Sequence, residues 1–120
     1  MALNRGNLGF TTQVSMGSSF PVYVVGSGQT TYIKGIILHN TSETLGTNAR
    51  IHVVENNGGA IAAGDSTTAI AYVGVATAET YFFEPAYPIT LENNGDCIYI
   101  ENASAIGGDL NILILGDKEA

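Results

Sequence analysis

From residue 20 onward the chain is a succession of short runs rich in Val, Ile, Tyr, Phe and Thr. Clusters of Gly, Asn, Asp and Ser cut the runs off at regular intervals. No stretch of ten residues carries the apolar spacing and caps of a helix, so the chain is confined to β-structure. The runs span residues 20–25, 30–40, 48–56, 68–75, 79–84, 88–92, 96–101 and 109–115, and their residue types suit a pleated, half-buried surface. Gly26-Ser27-Gly28, Asn56-Asn57-Gly58-Gly59, Asn93-Asn94-Gly95-Asp96 and Gly107-Gly108-Asp109 supply the turn chemistry between them. The expected fold is all-β: a single jelly-roll-like β-sandwich of about eight strands over residues 20–116. Residues 89–92 and 97–100 are expected to form a hairpin through Asn-Asn-Gly-Asp.

Alternation within the runs adds detail. Ile33 and Ile37 fall on one face of residues 30–40, and Tyr32, Ile36 and Leu38 on the other, as in a central strand covered on both sides. Ile51 and Val53 share a face opposite Arg50 and His52, which reads as a strand with one wet side. In Tyr81-Phe82-Phe83 the period of two sends Phe82 one way and its neighbours the other. Aromatic residues on both faces call for extra cover, from an arm or a second subunit. Glu84-Pro85-Ala86-Tyr87-Pro88 reads as a stiff crossing or a protected sheet edge, because each proline removes a backbone donor.

Residues 1–19 read as an irregular N-terminal arm. Leu3, Leu8, Phe10, Val14 and Met16 follow neither a helix face nor a strand alternation, so the arm is expected to lie along another surface. Residues 117–120 read as a charged, solvated tail. The candidate subunit or partner interface therefore comprises those five arm residues together with Tyr81, Phe82, Phe83 and Tyr87.

At 120 residues, 45% of them hydrophobic, the chain is long enough for one real core. Four basic residues stand against 11 acidic ones, for a net charge of −7. Arg5, Lys34, Arg50 and Lys118 are scattered, so direct binding to a phosphate backbone is not expected. No apolar run approaches the ~20 residues of a membrane span. The start lacks a secretory core, so synthesis in a reducing cytoplasm is expected.

No catalytic constellation emerges. If residues 30–40 and 48–56 pair around Thr44, His39 and His52 point to opposite faces, which leaves no two-histidine metal site. Cys97, the single cysteine, lies inside a strand with no cation beside it to lower its pKa. The carboxylates of Glu43, Glu55, Asp65, Glu79, Glu84, Glu92, Asp96, Glu101 and Asp109 are spread singly. Gly26-Ser27-Gly28-Gln29-Thr30-Thr31 lacks the third glycine and following helix of a dinucleotide loop. Neither an enzyme, nor a bound cofactor, nor a metal is expected. With no Trp in the chain, Tyr32, Tyr72, Tyr81, Tyr87 and Tyr99 read as core or interface residues before sugar platforms.

The stretch Tyr32-Ile33-Lys34-Gly35-Ile36-Ile37-Leu38-His39-Asn40-Thr41 resembles small β-sandwich structural proteins of tailed bacteriophages. So do Ile51-His52-Val53-Val54-Glu55-Asn56-Asn57-Gly58-Gly59, Tyr87-Pro88-Ile89-Thr90-Leu91-Glu92 and the final apolar run at 110–115, a likeness covering about residues 30 to 116. The resemblance implies a virion component on the capsid surface, a decoration or cement protein. Its implied partners are its own copies, as a homotrimer, and the major capsid protein. The alternative it leaves is a tail or fibre component that contacts host surface glycans.

Overall fold

The computed structural model describes residues 3–8, 11–55, 68–104 and 106–119; of residues 3–5 and 7 it describes the backbone path alone. Ten strands are described: β1 (Leu3–Asn7), β2 (Thr12–Val14), β3 (Ser19–Val24), β4 (Thr30–Asn40), β5 (Thr47–Val54), β6 (Ala69–Val75), β7 (Thr80–Phe83), β8 (Ile89–Leu91), β9 (Cys97–Asn102) and β10 (Leu110–Glu119). The turn cluster at residues 56–59 and Asp65 lie outside the described residues.

The strands form two antiparallel sheets, and the fold is a β-sandwich. One has β10 and β4 at its centre, with β1 and β2 sharing one flank and β7 and β8 the other. The second runs β3-β9-β5-β6. Pairing is nested: β1 and β2 bind β10, β3 binds β9, β4 binds β7 and β8, and β5 binds β6. A long hairpin folded over itself so that successive rungs alternate between two sheets is the jelly roll.

The core lies between the sheets. Ile33, Ile36 and Leu38 of β4 and Leu110 and Ile112 of β10 face Ile51 of β5 and Ile98 and Ile100 of β9, all essentially inaccessible. Each such side chain contributes about 1.5–3 kcal/mol through burial. The period of two explains the choice of residues, since in β10 the even positions from Leu110 to Gly116 are buried and the odd ones half-exposed. A bulge at Lys34 breaks this rhythm in β4: Leu115 pairs with Gly35, but Gly116 pairs with Ile33. Ile33 therefore shares the core face with Ile36 and Leu38 and not, as strict alternation implies, the face of Ile37.

Four sequence expectations are corrected. Residues 3–7 and 12–14 are not an irregular arm but strands on β10; their signal is weak because both are short and Gly6 adopts φ 97°. The tail is not free either, since β10 runs to Glu119, paired with Leu3 on one side and Thr30 on the other. The strands β8 and β9 are not a hairpin, because the turn between them crosses from one sheet to the other. There the Asp96 carboxylate accepts the amide of Asn93 at 3.0 Å, and Val25 brackets the turn through Gly95 N–H to Val25 O and Val25 N–H to Asp96 O. Finally, β4 and β5 belong to different sheets, so His39 does not pair near Ala49. The Asn40 side chain turns that corner, donating to Leu45 O and accepting from the Ser42 amide.

Candidate interaction surface

The expected interface residues separate into distinct environments. Leu8 and Val14 are buried in this protomer's own core and are not available to a partner. Leu3 is placed by its backbone, opposite Glu119, and Phe10 lies outside the described residues. Met16, half-exposed in the β2–β3 turn, has its amide held by the Asp109 carboxylate at 3.0 Å. Phe83 packs against the core, opposite Ile36, and Tyr81 lies opposite Leu38 at the sheet edge. Phe82 and Tyr87 stand in solvent, 50% and 85% exposed.

Phe82 belongs to a larger feature that the sequence did not reveal as a unit. Its register partner is Ile37, whose other neighbour is Leu113, so the three side chains form one row across the outer face of the β10–β4 sheet. The next row holds Leu115 and Gly35, and a Cβ at Gly35 would stand 2.5 Å from the Phe82 ring. The ring thus fills the space a side chain at the glycine would take. Polar rows frame this apolar strip. Gln13, Asn111, His39 and Thr80 lie on one side, with Gln13 Nε2 donating to Asn111 Oδ1 at 3.1 Å and His39 Nδ1 2.9 Å from Thr80 Oγ1. Asp117, Tyr32 and Thr90 lie on the other, where Lys34 pairs with Asp117 at 2.5 Å. An apolar centre with a polar rim is how interfaces are built. The signal available in sequence was the apolar character of both parities in residues 110–115, combined with Gly35 in an otherwise branched run.

The outer face of the other sheet is polar. Arg50 Nη1 donates to Glu101 Oε2 at 2.9 Å and its guanidinium lies 4.8 Å from the centre of the Tyr72 ring. His52, 1% exposed, lies with Nδ1 2.9 Å from Thr68 Oγ1 and with Nε2 3.5 Å from Glu101 Oε1. Its ring meets Tyr99 edge-on at 6.0 Å. His39 and His52 therefore sit on different sheets, and Glu101 is occupied by Arg50. Among the described residues no three His, Cys, Asp or Glu side chains converge as metal ligands would. An open depression of about 520 Å³ near Thr47, Asn48, Ser104 and Ile106 has no ionisable side chain in its lining.

Cys97 is buried, and burial first, then the neighbouring Asp96 carboxylate, push its thiol above the ordinary value of 9.0. A group that gives up its proton less readily when folded stabilises the native state below that value and loses this contribution as the pH rises through its folded pKa. Denaturant midpoints are expected to fall between about pH 8 and pH 10 more steeply for the native sequence than for Cys97→Ala. Equal slopes would show that the thiol does not contribute.

No protein-family model matches the chain, and no curated protein matches it.

Proposed function

We propose that this chain is a structural component of a bacteriophage virion, a decoration protein that docks on the outer surface of the head. The observation that carries the reading is the Leu113–Ile37–Phe82 strip, an apolar face on an otherwise solvated sheet. A cement protein adds stability to a shell through contact area, and a flat sheet face with a polar rim suits that task better than a cleft. The net charge of −7 supports it further: it keeps the free protein soluble and away from packaged nucleic acid. The likeness of residues 30 to 116 to tailed-phage structural proteins points the same way.

The test is co-sedimentation of the purified protein with heads of the phage that encodes it, stripped of surface proteins. The wild-type chain is expected to bind, and Phe82→Asp to weaken binding about tenfold or more, as for a central apolar contact. Heads that never retain the wild-type chain would refute the assignment.

A second reading, a tail component that contacts glycans, draws on Tyr87. Its ring projects between Pro85 and Pro88, which stiffen the segment that carries it. Retention on a glycan array that disappears in Tyr87→Ala would favour this reading over the first.

A further inference from the structure

The four sheet edges are not equivalent. The β1/β2 edge consists of strands of five and three residues. The β7/β8 edge is interrupted between Phe83 and Ile89 by Pro85 and Pro88. The β3 edge contains Pro21 and a bulge between Pro21 and Tyr23. These are the usual devices by which a sheet avoids recruiting another strand. The fourth edge, β6, lacks them over most of its length. Its seven residues, Ala69-Ile70-Ala71-Tyr72-Val73-Gly74-Val75, include no proline and no Lys, Arg, Asp or Glu. Its one irregularity lies near the start, where Ala71 pairs with Ile51 but Ala69 pairs with His52, so Ala71–Val75 is a regular run. Among the described residues β6 pairs with β5 alone.

We propose that β6 is a self-association edge, and that its occupant is β6 of a second copy of this chain. The strand is complementary to itself. In an antiparallel two-fold pair centred on Val73, Ala71 faces Val75 and Tyr72 faces Gly74, twice over. Tyr72 is 57% exposed on the outer face, and Gly74, also exposed, stands on the same face. Each tyrosine ring then covers the bare backbone of the partner's glycine, a cross-strand pairing of large with absent side chain that favours one register. Charge argues for this site as well. A chain of net charge −7 repels its own copies, and β6 brings no acidic side chain of its own into the contact. Association through strand edges alone cannot close a three-fold ring, because β6 would have to meet a different edge, and each of those is short, bulged or interrupted. A two-fold dimer follows, in place of the homotrimer implied by the family likeness. Five paired residues bury less than the ~1,200 Å² of a standard interface, the size class of weak, transient association, and an affinity on the order of micromolar is expected.

The inference does not rest on the virion reading, because it is measured on the purified protein alone. Sedimentation equilibrium is expected to give twice the 12.5 kDa protomer mass at about 100 µM chain, with dissociation on dilution. Gly74→Lys is the decisive variant. Its Cβ would meet nothing closer than Asn48 Oδ1 at 3.5 Å, so the protomer tolerates it. In the dimer the new side chain collides with the partner's tyrosine and is expected to weaken association about 100-fold. Combining it with Tyr72→Glu sets opposite charges across both pairs and is expected to restore affinity to within about tenfold of wild type. A wild-type chain that stays monomeric at that concentration, a trimer mass, or a Gly74→Lys variant that melts normally and still dimerises would each overturn the proposal.

Discussion

Replacing Asn102 with leucine is expected to cost about 4 kcal/mol of folding stability, the sum of leaving several buried polar groups without partners. The side chain is 1% exposed at the end of β9. Its amide nitrogen donates to Val14 O at 3.1 Å and to Gly108 O at 2.8 Å, and its Oδ1 accepts from Thr47 Oγ1 at 2.5 Å. One residue thus binds β2, the approach to β10, and β5, which belong to both sheets. Leucine keeps the branching of the side chain but is larger, so some overpacking adds to the main loss, which is that of desolvated carbonyls and a hydroxyl. That origin is separable from a packing defect. Adding Thr47→Val to Asn102→Leu removes one of the stranded groups and should recover about 1 kcal/mol, since removing both partners is cheaper than removing one. Urea denaturation of the two variants measures both numbers. A single-variant loss under about 1 kcal/mol would mean that water replaces the side chain.

Gly116→Ala is expected to lower stability by about 3 kcal/mol, at the upper end of overpacking costs in a close-packed interior. Gly116 is buried where β10 passes the bulge in β4. A Cβ there would run into the carbonyl oxygen of Tyr32 and stand 3.2 Å from Ile33 Cα. Both obstacles are backbone, so no change of rotamer relieves them, and the central strand pair of the sheet must part. A fall in Tm of roughly 10–15 °C corresponds to that loss for a domain of this size. A Tm within about 2 °C of wild type would show that the bulge slides to make room.

The sequence was legible wherever a strand reports its own neighbours. Residues 30–40 and the starts of β3, β5, β6 and β9 follow from branched and aromatic residues bounded by glycine and asparagine, because a pleated strand with one face on the core favours those side chains. Legibility failed where the partner is distant in sequence. Thr12–Val14 contributes one core residue, Val14, and its identity as a strand comes from Leu110–Ile112, almost a hundred residues away. The Asn93–Asp96 turn has the composition of a hairpin, yet its direction is decided by Val25, which only the fold brings alongside. The candidate surface shows the same limit. Phe82 could be read as facing away from its neighbours, but the row it completes with Ile37 and Leu113 depends on the register of β4 with two strands distant in sequence.

The nested pairing has a kinetic consequence. Its outermost rung joins Leu3 to Glu119, so closing it first would tie up almost the whole chain in one loop. Loop-closure entropy rises with the logarithm of loop length, and contacts of such separation slow folding unless inner ones form beforehand. The innermost rung, β5 with β6, closes the shortest loop. Once it exists, each rung outside it spans a distance already shortened by the one within. The chain can therefore assemble from its middle outwards, so that β1 is among the last strands to find its place.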